Sequence, residues 1–412
     1  MTLVCRSCGH PLTKTFVDLG TSPLSNAFPT ALQREAGENH YPLHVRICDA
    51  CLLVQLEMVE TPDTIFGDYL YLSSYSKVWL EHASRFADNI TDRLSLNASS
   101  RVIEIASNDG YLLKNFVAKN IPVLGIEPAA NVAKIAEKVG VPTRVGFFGR
   151  GLATELQSEG LAADLMVANN VLAHVPDLND FVAGFAMVLK PEGVLTVEFP
   201  HLMRLMQSTQ FDTIYHEHFS YFSLATASAA FERNGLRVFD VEELPTHGGS
   251  LRLYICQASS TRGCSKRVSR ILSEEREAGL HGLAAHLDFA HQVEGVKQGL
   301  LEFLARCRAQ GKVVAGYGAP AKATTLFNFC GIGPEDIAYT VDQNPYKQGR
   351  FIPGTGIPIY SPEKLYETKP DYVLILPWNL AEEICSSMAE LSRYGTRFFV
   401  AVPQIMTLNS TA

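Results

Sequence analysis

The stretch 101-RVIEIASNDGYLLKNF-116 decides the fold of this 412-residue chain. "RVIEIA" is a short apolar strand, and "SNDGYLLKNF" is a turn containing Gly110 that leads into a helix. Further apolar strands are predicted at 122–128, ending at Glu127, and at 163–175 and 193–200, the last two separated by a helix ending in "LKPEG". Strands that alternate with helices predict a doubly wound, mostly parallel sheet with its ligand site at the carboxyl ends of the strands.

The α/β pattern repeats after a charged helical stretch at 267–310. There, "KVVAGYGAPAKATTLFNF" (312–329) reads as strand, glycine turn and helix, and "IAYTVDQNP" (337–345) contains a second strand that ends at Asp342. The segments 371–378 and 396–404 are predicted to be further buried strands. The chain therefore carries two nucleotide-fold-like halves.

Two cysteine pairs precede these halves, Cys5-x-x-Cys8 and Cys48-x-x-Cys51. Each pair can form a tight knuckle, so that two knuckles complete a tetrahedral four-thiolate site. The segment "YPLHVRICDACLLVQLEMV" (41–59) alternates like a small hairpin, as expected of a zinc ribbon. A closed thiolate shell predicts structural zinc, because it has no open coordination position. Four free buried cysteines or a redox CxxC are the weaker alternatives, since no thioredoxin-like context accompanies the pairs.

The bulk composition narrows the class of protein further. A length of 412 residues exceeds what one core usually holds, so two or three domains are expected. A net charge of -8 and the lack of a basic stripe argue against a nucleic-acid partner. Nothing resembles a signal peptide, and no apolar run approaches about 18 residues, so we expect a cytoplasmic protein without a membrane span.

The first half has the groups that a methyl donor such as S-adenosylmethionine requires. This donor carries an ammonium and a ribose rather than a pyrophosphate, so its site needs acceptors beside a turn of small residues. Glu127 ends the second strand, where it can accept both ribose hydroxyls, and Asn169 and Asn170 end a later strand, where they can hold the methionine part. The predicted donor-binding residues are Glu104, Ala106, Asn108, Gly110, Glu127, Pro128, Asn169 and Asn170.

Between the halves lies "YHEHFSY" (215–221), which reads alone as a metal site, a general-base cluster or an aromatic strand. In an extended segment His216 and His218 face away from Tyr215, whereas in a helical turn Tyr215 and His218 share a face. The cysteine pairs already account for a metal. We therefore interpret the segment as a general-base cluster, in which a histidine with a pKa near neutrality serves the chemistry of the two halves.

The order of motifs along the chain closely resembles the sugar C-methyltransferases of deoxysugar biosynthesis. After the paired cysteines, the motifs are "EIASNDG" (104–110), "GIEP" (125–128), "ANNVLAHV" (168–175), "LKPEG" (189–193), "EFPHL" (198–202), "YHEHFSYFS" (215–223), "HGGSLR" (247–252), "GYGAPAKATT" (316–325) and "VDQNPYKQG" (341–349). The resemblance covers essentially the whole chain. One departure is Ala106, where the family turn usually has glycine, and we expect the methyl group to be tolerated if φ is negative there.

The resemblance implies three domains: a zinc-binding module at 1–65, a class I, Rossmann-like S-adenosylmethionine domain at 66–245, and a Rossmann-like domain at 246–412 that contributes to nucleotide-sugar binding. It also implies methylation of a nucleotide diphosphate 4-keto-6-deoxysugar, with carbon 3 favoured and carbon 5, which also flanks the ketone, as the alternative. No nucleic acid or membrane partner is implied, and we expect a monomer or a weak homo-oligomer.

In this family the second histidine of the "YHEHFSY" motif is the base, which here is His218. Tyr215 and Glu217 are then supporting groups, and His216 is interpreted as a packed histidine with a backbone partner. His174 can touch substrate or donor, and a tyrosine of 68–79, either Tyr71 or Tyr75, is expected in the active cleft. Arg252 is a candidate for phosphate.

The segment "GYGAPA" (316–321), with Asp342 beyond it, also matches a dinucleotide fingerprint. Against a nicotinamide cofactor stand Lys322 and the "NPYKQGR" cations, which suit the diphosphate of an activated sugar at a helix N-terminus. The predicted substrate-binding residues are Arg252, Lys322, Thr324, Asn344 and Lys347. A nicotinamide-dependent sugar oxidoreductase, O- or N-methylation, and a zinc-ribbon adaptor remain the rival functions.

Overall fold

The computed structural model describes residues 3–61, 72–75 and 77–408. Tyr71, one of the two tyrosines predicted for the cleft, lies outside these described residues. Among them, no helix combines the length and the apolar character that a membrane crossing requires.

The N-terminal region is a small antiparallel ribbon. Alternate residues of its second strand, Leu43, Val45 and Ile47, are buried, which confirms the predicted hairpin. Its elements are β1 (Lys14–Ser22), α1 (Ala31–Glu35), β2 (Tyr41–Ile47) and β3 (Val54–Leu56).

The central region alternates strands and helices as the sequence predicts. The strand of the opening stretch is buried at all four positions, because helices cover both faces of the sheet. The elements are α2 (Lys77–Leu94), β4 (Val102–Ile105), α3 (Leu113–Val117), β5 (Val123–Glu127), α4 (Ala130–Lys138), β6 (Thr143–Val145), α5 (Arg150–Ser158), β7 (Ala163–Asn169), α6 (Leu178–Val188), β8 (Leu189–Pro200), α7 (Leu202–Gln207), β9 (Ser220–Tyr221), α8 (Leu224–Glu232), β10 (Leu236–Leu244) and β11 (Ser250–Gln257).

The C-terminal region begins with two long helices, and a second doubly wound unit follows them in the chain. Its elements are α9 (Lys266–Glu277), α10 (Leu283–Ala309), β12 (Val314–Tyr317), α11 (Ala321–Cys330), β13 (Thr340–Val341), β14 (Ile359–Tyr360), α12 (Glu363–Thr368), β15 (Tyr372–Ile375), α13 (Ala381–Ser387), α14 (Ala389–Ser392), β16 (Arg397–Val400) and β17 (Met406–Leu408).

Three sheets organise these elements. The central sheet has the order β10-β11-β8-β7-β4-β5-β6, with β11 antiparallel to both of its neighbours and β8 to β6 all parallel. The C-terminal sheet has the order β14-β13-β12-β15-β16-β17, parallel except for β17. In each sheet the strand order reverses beside the strand that the glycine-containing turn follows, β4 or β12, which is where ligands bind in such folds.

The third sheet joins the N-terminal ribbon to the central region. Its order is β1-β2-β3-β9, so the ribbon's fourth strand comes from the "YHEHFSY" segment. On the other side, β1 packs against the C-terminal helices, with the rings of Phe16 and Phe289 stacked at 4.6 Å. The zinc ribbon is therefore packed between the two α/β halves.

Some predicted boundaries differ from the structure. "LKPEG" lies in β8 rather than at a helix end, because α6 stops at Val188 and the sheet pairing begins at Leu189. The predicted strand 163–175 ends at Asn169, and the helical stretch 267–310 is broken into α9 and α10. The division drawn at 245/246 falls inside the β10–β11 hairpin, so the central sheet continues to Gln257.

Candidate active site

The four predicted zinc ligands converge on one point. The sulfurs of Cys5, Cys8, Cys48 and Cys51 all lie within 4.8 Å of one another, with 3.6 Å between Cys5 and Cys51 and 3.6 Å between Cys8 and Cys48. A tetrahedral site with Zn–S bonds of about 2.3 Å requires sulfur separations of about 3.8 Å. The donor set therefore fits one structural zinc ion.

The two knuckles share a backbone design. Gly9 and Leu52, the residues after each second cysteine, have φ of +77° and +62°, and each donates its N–H at 2.8 Å to the carbonyl of the first cysteine of its knuckle. Gln55 Nε2 also donates to Cys5 Sγ at 3.2 Å. These hydrogen bonds, which do not involve the metal, orient the sulfurs toward the centre of the site.

Cys48→Ser is expected to remove the bound zinc and to lower the melting temperature, because a module this small depends on its metal. Zinc per chain is measured by plasma mass spectrometry and unfolding by calorimetry. Cys264→Ser, at an exposed cysteine, is the control and should retain the metal. Stoichiometric zinc in Cys48→Ser would contradict the assignment.

The predicted donor residues meet at the carboxyl ends of β4, β5 and β7. The Glu127 carboxylate accepts the backbone N–H groups of Asn108 and Ala129, each at 2.9 Å, which fixes the turn after β4. Pro128 follows at the end of β5 and is partly exposed. The Glu127 carboxylate has further lone pairs for a ribose.

Several acceptor atoms around this turn are buried without a hydrogen-bond partner among the described residues. They include Glu104 Oε2 and the Oδ1 atoms of Asn169 and Asn170. Burial raises the pKa of the Glu104 carboxyl well above its usual range, and a hydrogen bond from Tyr111 opposes the shift, so a cation beside the unpartnered Oε2 would further stabilise the ionised form. An ammonium group would be such a cation, and the residues present therefore fit the amino-acid end of S-adenosylmethionine.

The turn itself adopts a left-handed backbone. Ala106, Asn108 and Gly110 have φ of +53°, +49° and +78°, and Asn170 on the neighbouring strand has +55°. The expectation of a negative φ at Ala106 is wrong, because the strand must turn sharply to bring backbone N–H groups onto Glu127. An alanine in this region costs about 1 kcal/mol relative to its preferred conformation.

Ala106→Gly should leave the free energy of unfolding unchanged or raise it by up to about 1 kcal/mol, because relief of the left-handed strain offsets the greater chain entropy. Ala106→Val should be clearly destabilising, since a β-branched residue is disfavoured at positive φ. Urea denaturation measures both. Ala118→Gly, at a right-handed position with φ -60°, is the matched control and should lose about 0.5–1 kcal/mol. Equal losses in the two glycine variants would contradict the left-handed assignment.

Residues 213–219, here named the His–Glu–His turn, adopt the helical-turn alternative. The His218 N–H donates to the Tyr215 carbonyl at 2.9 Å, and the two rings lie 4.1 Å apart between centroids. His216 points the other way, is buried, and donates from Nε2 to the Pro42 carbonyl at 3.2 Å. The prediction of a packed His216 with a backbone partner is thereby confirmed.

His218 is held in one tautomer by its own segment. Its Nδ1 lies 3.0 Å from the Thr213 carbonyl, which can only accept, so Nδ1 carries the proton and Nε2 the lone pair. Burial lowers the pKa of His218 well below its usual range, with nearby His174 adding to the effect. The imidazole is therefore neutral at physiological pH and able to accept a proton.

His174 lies beside this ring, with centroids 4.8 Å apart in an edge-to-face arrangement. Its Nδ1 donates to the Glu217 carbonyl at 2.8 Å, and burial lowers its pKa to about 4. The 3-10 turn after β7 begins beside the donor site and thus places His174 against the His–Glu–His turn.

The Glu217 carboxyl is also buried, with 6% exposure. Burial raises its pKa to about 7, and the Asn26 amide opposes this shift by donating to Oε1 at 2.8 Å and to Oε2 at 2.9 Å. Asn26 belongs to the N-terminal region and was not predicted, because nothing in the spacing of "SPLSNAF" (22–28) signals a contact with residue 217.

The pKa of Glu217 predicts a pH-dependent stability. An unfolded glutamate titrates near 4.3, so the wild type loses stability relative to Glu217→Gln as pH rises from about 4.3 to about 7, and the difference is constant above that. The full difference is on the order of 3 kcal/mol. Urea denaturation at a series of pH values measures it, with Glu232→Gln on the exposed face of α8 as control. A flat difference between pH 4 and 8 would contradict the raised pKa.

The C-terminal half supplies one wall of the site. Lys322 Nζ donates to Asn379 Oδ1 at 2.8 Å and lies 3.8 Å from the centre of the Trp378 ring. Trp378 in turn donates from Nε1 to Asp212 Oδ2 at 2.7 Å, and Asp212 immediately precedes Thr213. Burial raises the pKa of Asp212 to about 6 and lowers that of Lys322 to about 8.

Gly248 of the predicted "HGGSLR" loop makes this wall possible. A Cβ at Gly248 would lie 2.5 Å from the Trp378 ring, so glycine is required for the close approach. Asp212 and Trp378 were missed by sequence reasoning. A tryptophan three residues after a buried strand, one of two in the chain, was the available signal.

Arg252, predicted as a phosphate ligand, is placed differently. It lies in β11 with 5% exposure, pairs with Glu198 at 2.9 Å and Glu242 at 3.3 Å, and stacks on Phe86 at 4.4 Å. Two carboxylates neutralise its charge, so it is a structural cation of the sheet. The local sequence could not show that Arg252 would lie between two strands that each place a glutamate beside it.

The remaining predicted substrate residues each form a hydrogen bond with the backbone of the protein. Thr324 is fully buried and donates its hydroxyl to the Ser25 carbonyl at 3.1 Å, so it ties α11 to the N-terminal region. Asn344 caps its own loop by accepting the Tyr346 N–H at 3.0 Å. Lys347 Nζ donates to the Ala319 carbonyl at 2.9 Å at the start of α11.

The "GYGAPA" turn differs from a dinucleotide site. Asp342, the acid expected to hold a ribose, accepts the N–H groups of Ala319 at 2.7 Å and Asn344 at 2.8 Å. A Cβ at Gly318 would meet Pro377 at 2.6 Å, so protein fills the space that the fingerprint leaves for a pyrophosphate. The contact at Gly318 opposes the nicotinamide alternative, whereas Asp342 retains lone pairs, as Glu127 does, and does not distinguish the two ligands.

Tyr75, the second tyrosine predicted for the cleft, is 62% exposed in the 3-10 turn Ser73–Tyr75. Its neighbours dock this turn on the donor site, with the Ser73 N–H donating to Asn108 Oδ1 at 2.9 Å and the Ser74 N–H to Asp109 Oδ2 at 3.1 Å. The structure therefore brings this segment to the donor loop and leaves the Tyr75 side chain largely in solvent.

The order of the central sheet, the left-handed turn after β4 and the buried acceptors define an S-adenosylmethionine-dependent methyltransferase with a structural zinc module. Three family models match in chain order: a zinc binding domain at residues 5–66, a methyltransferase domain at 79–241, and a C-methyltransferase C-terminal domain at 245–403. The chain is 36% identical over 400 residues to the C-methyltransferase NovU of Streptomyces niveus, covering 97% of this chain and 95% of that protein. It belongs to this C-methyltransferase family, and the predicted class of enzyme is confirmed.

More distant similarities cover less than half of the chain. A ubiquinone biosynthesis O-methyltransferase of Rhodopseudomonas palustris (strain BisA53) is 28% identical over 115 residues, 28% of this chain and 46% of that protein. Among solved structures, Streptomyces venezuelae DesVI is 19% identical and covers 47% of this chain and 98% of its own, with a TM-score of 0.34. The magnesium protoporphyrin IX methyltransferase of Synechocystis PCC 6803 is 14% identical and covers 47% and 88%, with a TM-score of 0.33.

Proposed function

We propose that this enzyme transfers a methyl group to carbon 3 of a nucleotide diphosphate 4-keto-6-deoxysugar through an enolate that His218 generates. The observation that carries the proposal is the bond from His218 Nδ1 to the Thr213 carbonyl, which leaves Nε2 as the proton acceptor. A C–H bond beside a ketone is acidic enough for an imidazole to remove its proton, whereas an ordinary sugar C–H bond is not.

The groups around His218 suit the two halves of this step. Burial lowers its pKa below the near-neutral value expected from the sequence, which keeps the imidazole unprotonated before the reaction but weakens it as a base, so the proposal relies on the ketone to acidify the proton. Tyr215 lies against the same ring and is proposed to donate its hydroxyl to the enolate oxygen. Glu217 and His174 support the turn from behind, and the two neutral histidines add no charge that would oppose proton removal.

The donor is proposed to lie at the carboxyl ends of β4, β5 and β7. Glu104, Asn169 and Asn170 would receive its ammonium, and Glu127 its ribose hydroxyls, because their acceptor atoms are buried there with capacity to spare. When bound, S-adenosylmethionine supplies an electrophilic methyl group. The chain's own contribution is to hold the substrate carbon and the base on the facing side of the cleft.

The substrate diphosphate is proposed to lie at the start of α11, between Lys322 and Lys347 with Asn344 beside them. Both ammonium groups lie near the N-terminus of this helix, where an anion is favoured. In this proposal the region 66–245 acts on the donor, 246–412 holds the nucleotide, and 1–65 supports both. Carbon 5 of the same sugar is the alternative position of methylation.

The decisive experiment is incubation with methyl-labelled donor and a panel of 4-ketosugar nucleotides in deuterated water. The expected result is a labelled sugar that has lost the hydrogen of carbon 3, together with deuterium at carbon 3 of the recovered unmethylated substrate, and the same pattern at carbon 5 would move the site of methylation. Transfer of label to oxygen or nitrogen, without exchange of a carbon-bound proton, would overturn the enolate route.

His218→Asn is expected to abolish both exchange and transfer, while calorimetry shows donor affinity within about twofold of the wild type. His286→Asn is the control, because His286 is a buried histidine that also bonds a backbone carbonyl, Gly282 at 2.8 Å, but lies in α10. A His218→Asn enzyme that still exchanges the proton at the wild-type rate would remove His218 from the role of base.

A further inference from the structure

The contact between Asn26 and Glu217 joins two regions that the sequence treats as separate. Asn26 lies between β1 and α1, 191 residues before Glu217, and one amide nitrogen reaches both carboxylate oxygens. The glutamate is almost fully buried, so the amide substitutes for water that the carboxylate has lost. An amide can do this without carrying a charge into the site.

The segment around Asn26 is itself held by the C-terminal half. The Ser25 carbonyl accepts from Thr324, the Phe28 carbonyl from Arg350 Nη1 at 3.0 Å, and the Pro29 carbonyl from the Phe351 N–H at 3.1 Å. Lys347 Nζ also lies 4.8 Å from the centre of the Phe28 ring. Asn26 is therefore presented to Glu217 from a backbone fixed at several points.

We propose that Asn26 is a positioning residue for the methyl-transfer reaction, which holds the Glu217 carboxylate ionised and oriented behind the His–Glu–His turn. The inference rests on the function proposed above. It assigns a role to the N-terminal region beyond carrying the zinc site, and it explains why that region packs between the two halves.

In the part of the chain that the structure describes, few titratable groups lie near Glu217 that could replace the amide. On its own segment the titratable neighbours are Tyr215, His216 and His218, and from the central region His174 contacts its carbonyl. Burial lowers the pKa of all three histidines, so they are neutral near pH 7. Arg6 of the first zinc knuckle donates to the carbonyls of Phe219 and Leu56 rather than to the carboxylate. Loss of the amide should therefore favour the protonated form of Glu217.

The first test is the pH profile of Asn26→Ala, measured on the full enzyme by transfer of labelled methyl groups. The acid limb of kcat is expected to move up by about one pH unit, with a loss of about fivefold at pH 7, recovery near pH 9, and KM values within about twofold. A uniform loss at all pH values, or no loss, would overturn the proposal.

Asn179→Ala is the matched control. Asn179 also donates twice from Nδ2, at 3.1 Å and 3.0 Å, but to the carbonyls of Arg6 and Ser7 in the first zinc knuckle. It should lower the melting temperature without moving the acid limb. In a Glu217→Gln background, Asn26→Ala should add no further loss, because its effect passes through that carboxyl.

The second test needs no substrate, so it separates this proposal from the proposed function. Melting temperatures of Asn26→Ala and of Asn26→Ala/Glu217→Gln are compared between pH 4 and 9. The difference in melting temperature between these two variants should become constant only above pH 7. The pH at which it becomes constant should be about one unit higher than for the wild-type and Glu217→Gln pair. An unchanged plateau would refute the role of Asn26 even if the sugar is methylated as proposed. A shifted plateau without methylation of any ketosugar would leave Asn26 assigned and the substrate class wrong.

Discussion

The hydrogen bond from His218 Nδ1 to the Thr213 carbonyl is the constraint on which the site depends. It is made within five residues of one chain segment, so the tautomer of the imidazole is decided by the path of the backbone rather than by a distant partner. Everything that holds Thr213 and His218 in register therefore acts on Nε2, the proposed proton acceptor. The neighbouring contacts are best understood as holding that backbone path.

All three regions contribute to it. The C-terminal half holds the entrance of the turn, through Trp378 on Asp212 and through the Thr325 hydroxyl on the Ile214 carbonyl at 2.7 Å. The central region holds the exit, where the Phe219 N–H donates to the Ala173 carbonyl at 2.7 Å. The N-terminal region closes the remaining side by pairing β3 with β9. A turn fixed from three directions can hold a neutral histidine, the proposed base, without any charged partner.

The sequence predicted what periodicity and spacing can encode. The strands β4, β5 and β12, the four zinc ligands and the donor turn each lie within a short window, so their local patterns were sufficient. The contacts that failed to emerge are long-range: Arg252 could not be recognised as paired, because its partners Glu198 and Glu242 lie on adjacent strands. The contact of Asn26 with Glu217 is also long-range. The expectation of a negative φ at Ala106 was wrong because the sharpness of this turn depends on where Glu127 lies.

The membership of β9 in the N-terminal sheet has a consequence for how such enzymes can be recombined. Two residues of the central region complete a sheet whose other strands come from the zinc ribbon, and Phe219 shares its carbonyl between the Leu56 N–H and Arg6. A chimera that takes the ribbon from one relative and the methyltransferase domain from another creates a hybrid sheet at the residue next to His218, the proposed base. Domain exchange within this family should therefore conserve the ribbon and the His–Glu–His turn as one inherited unit.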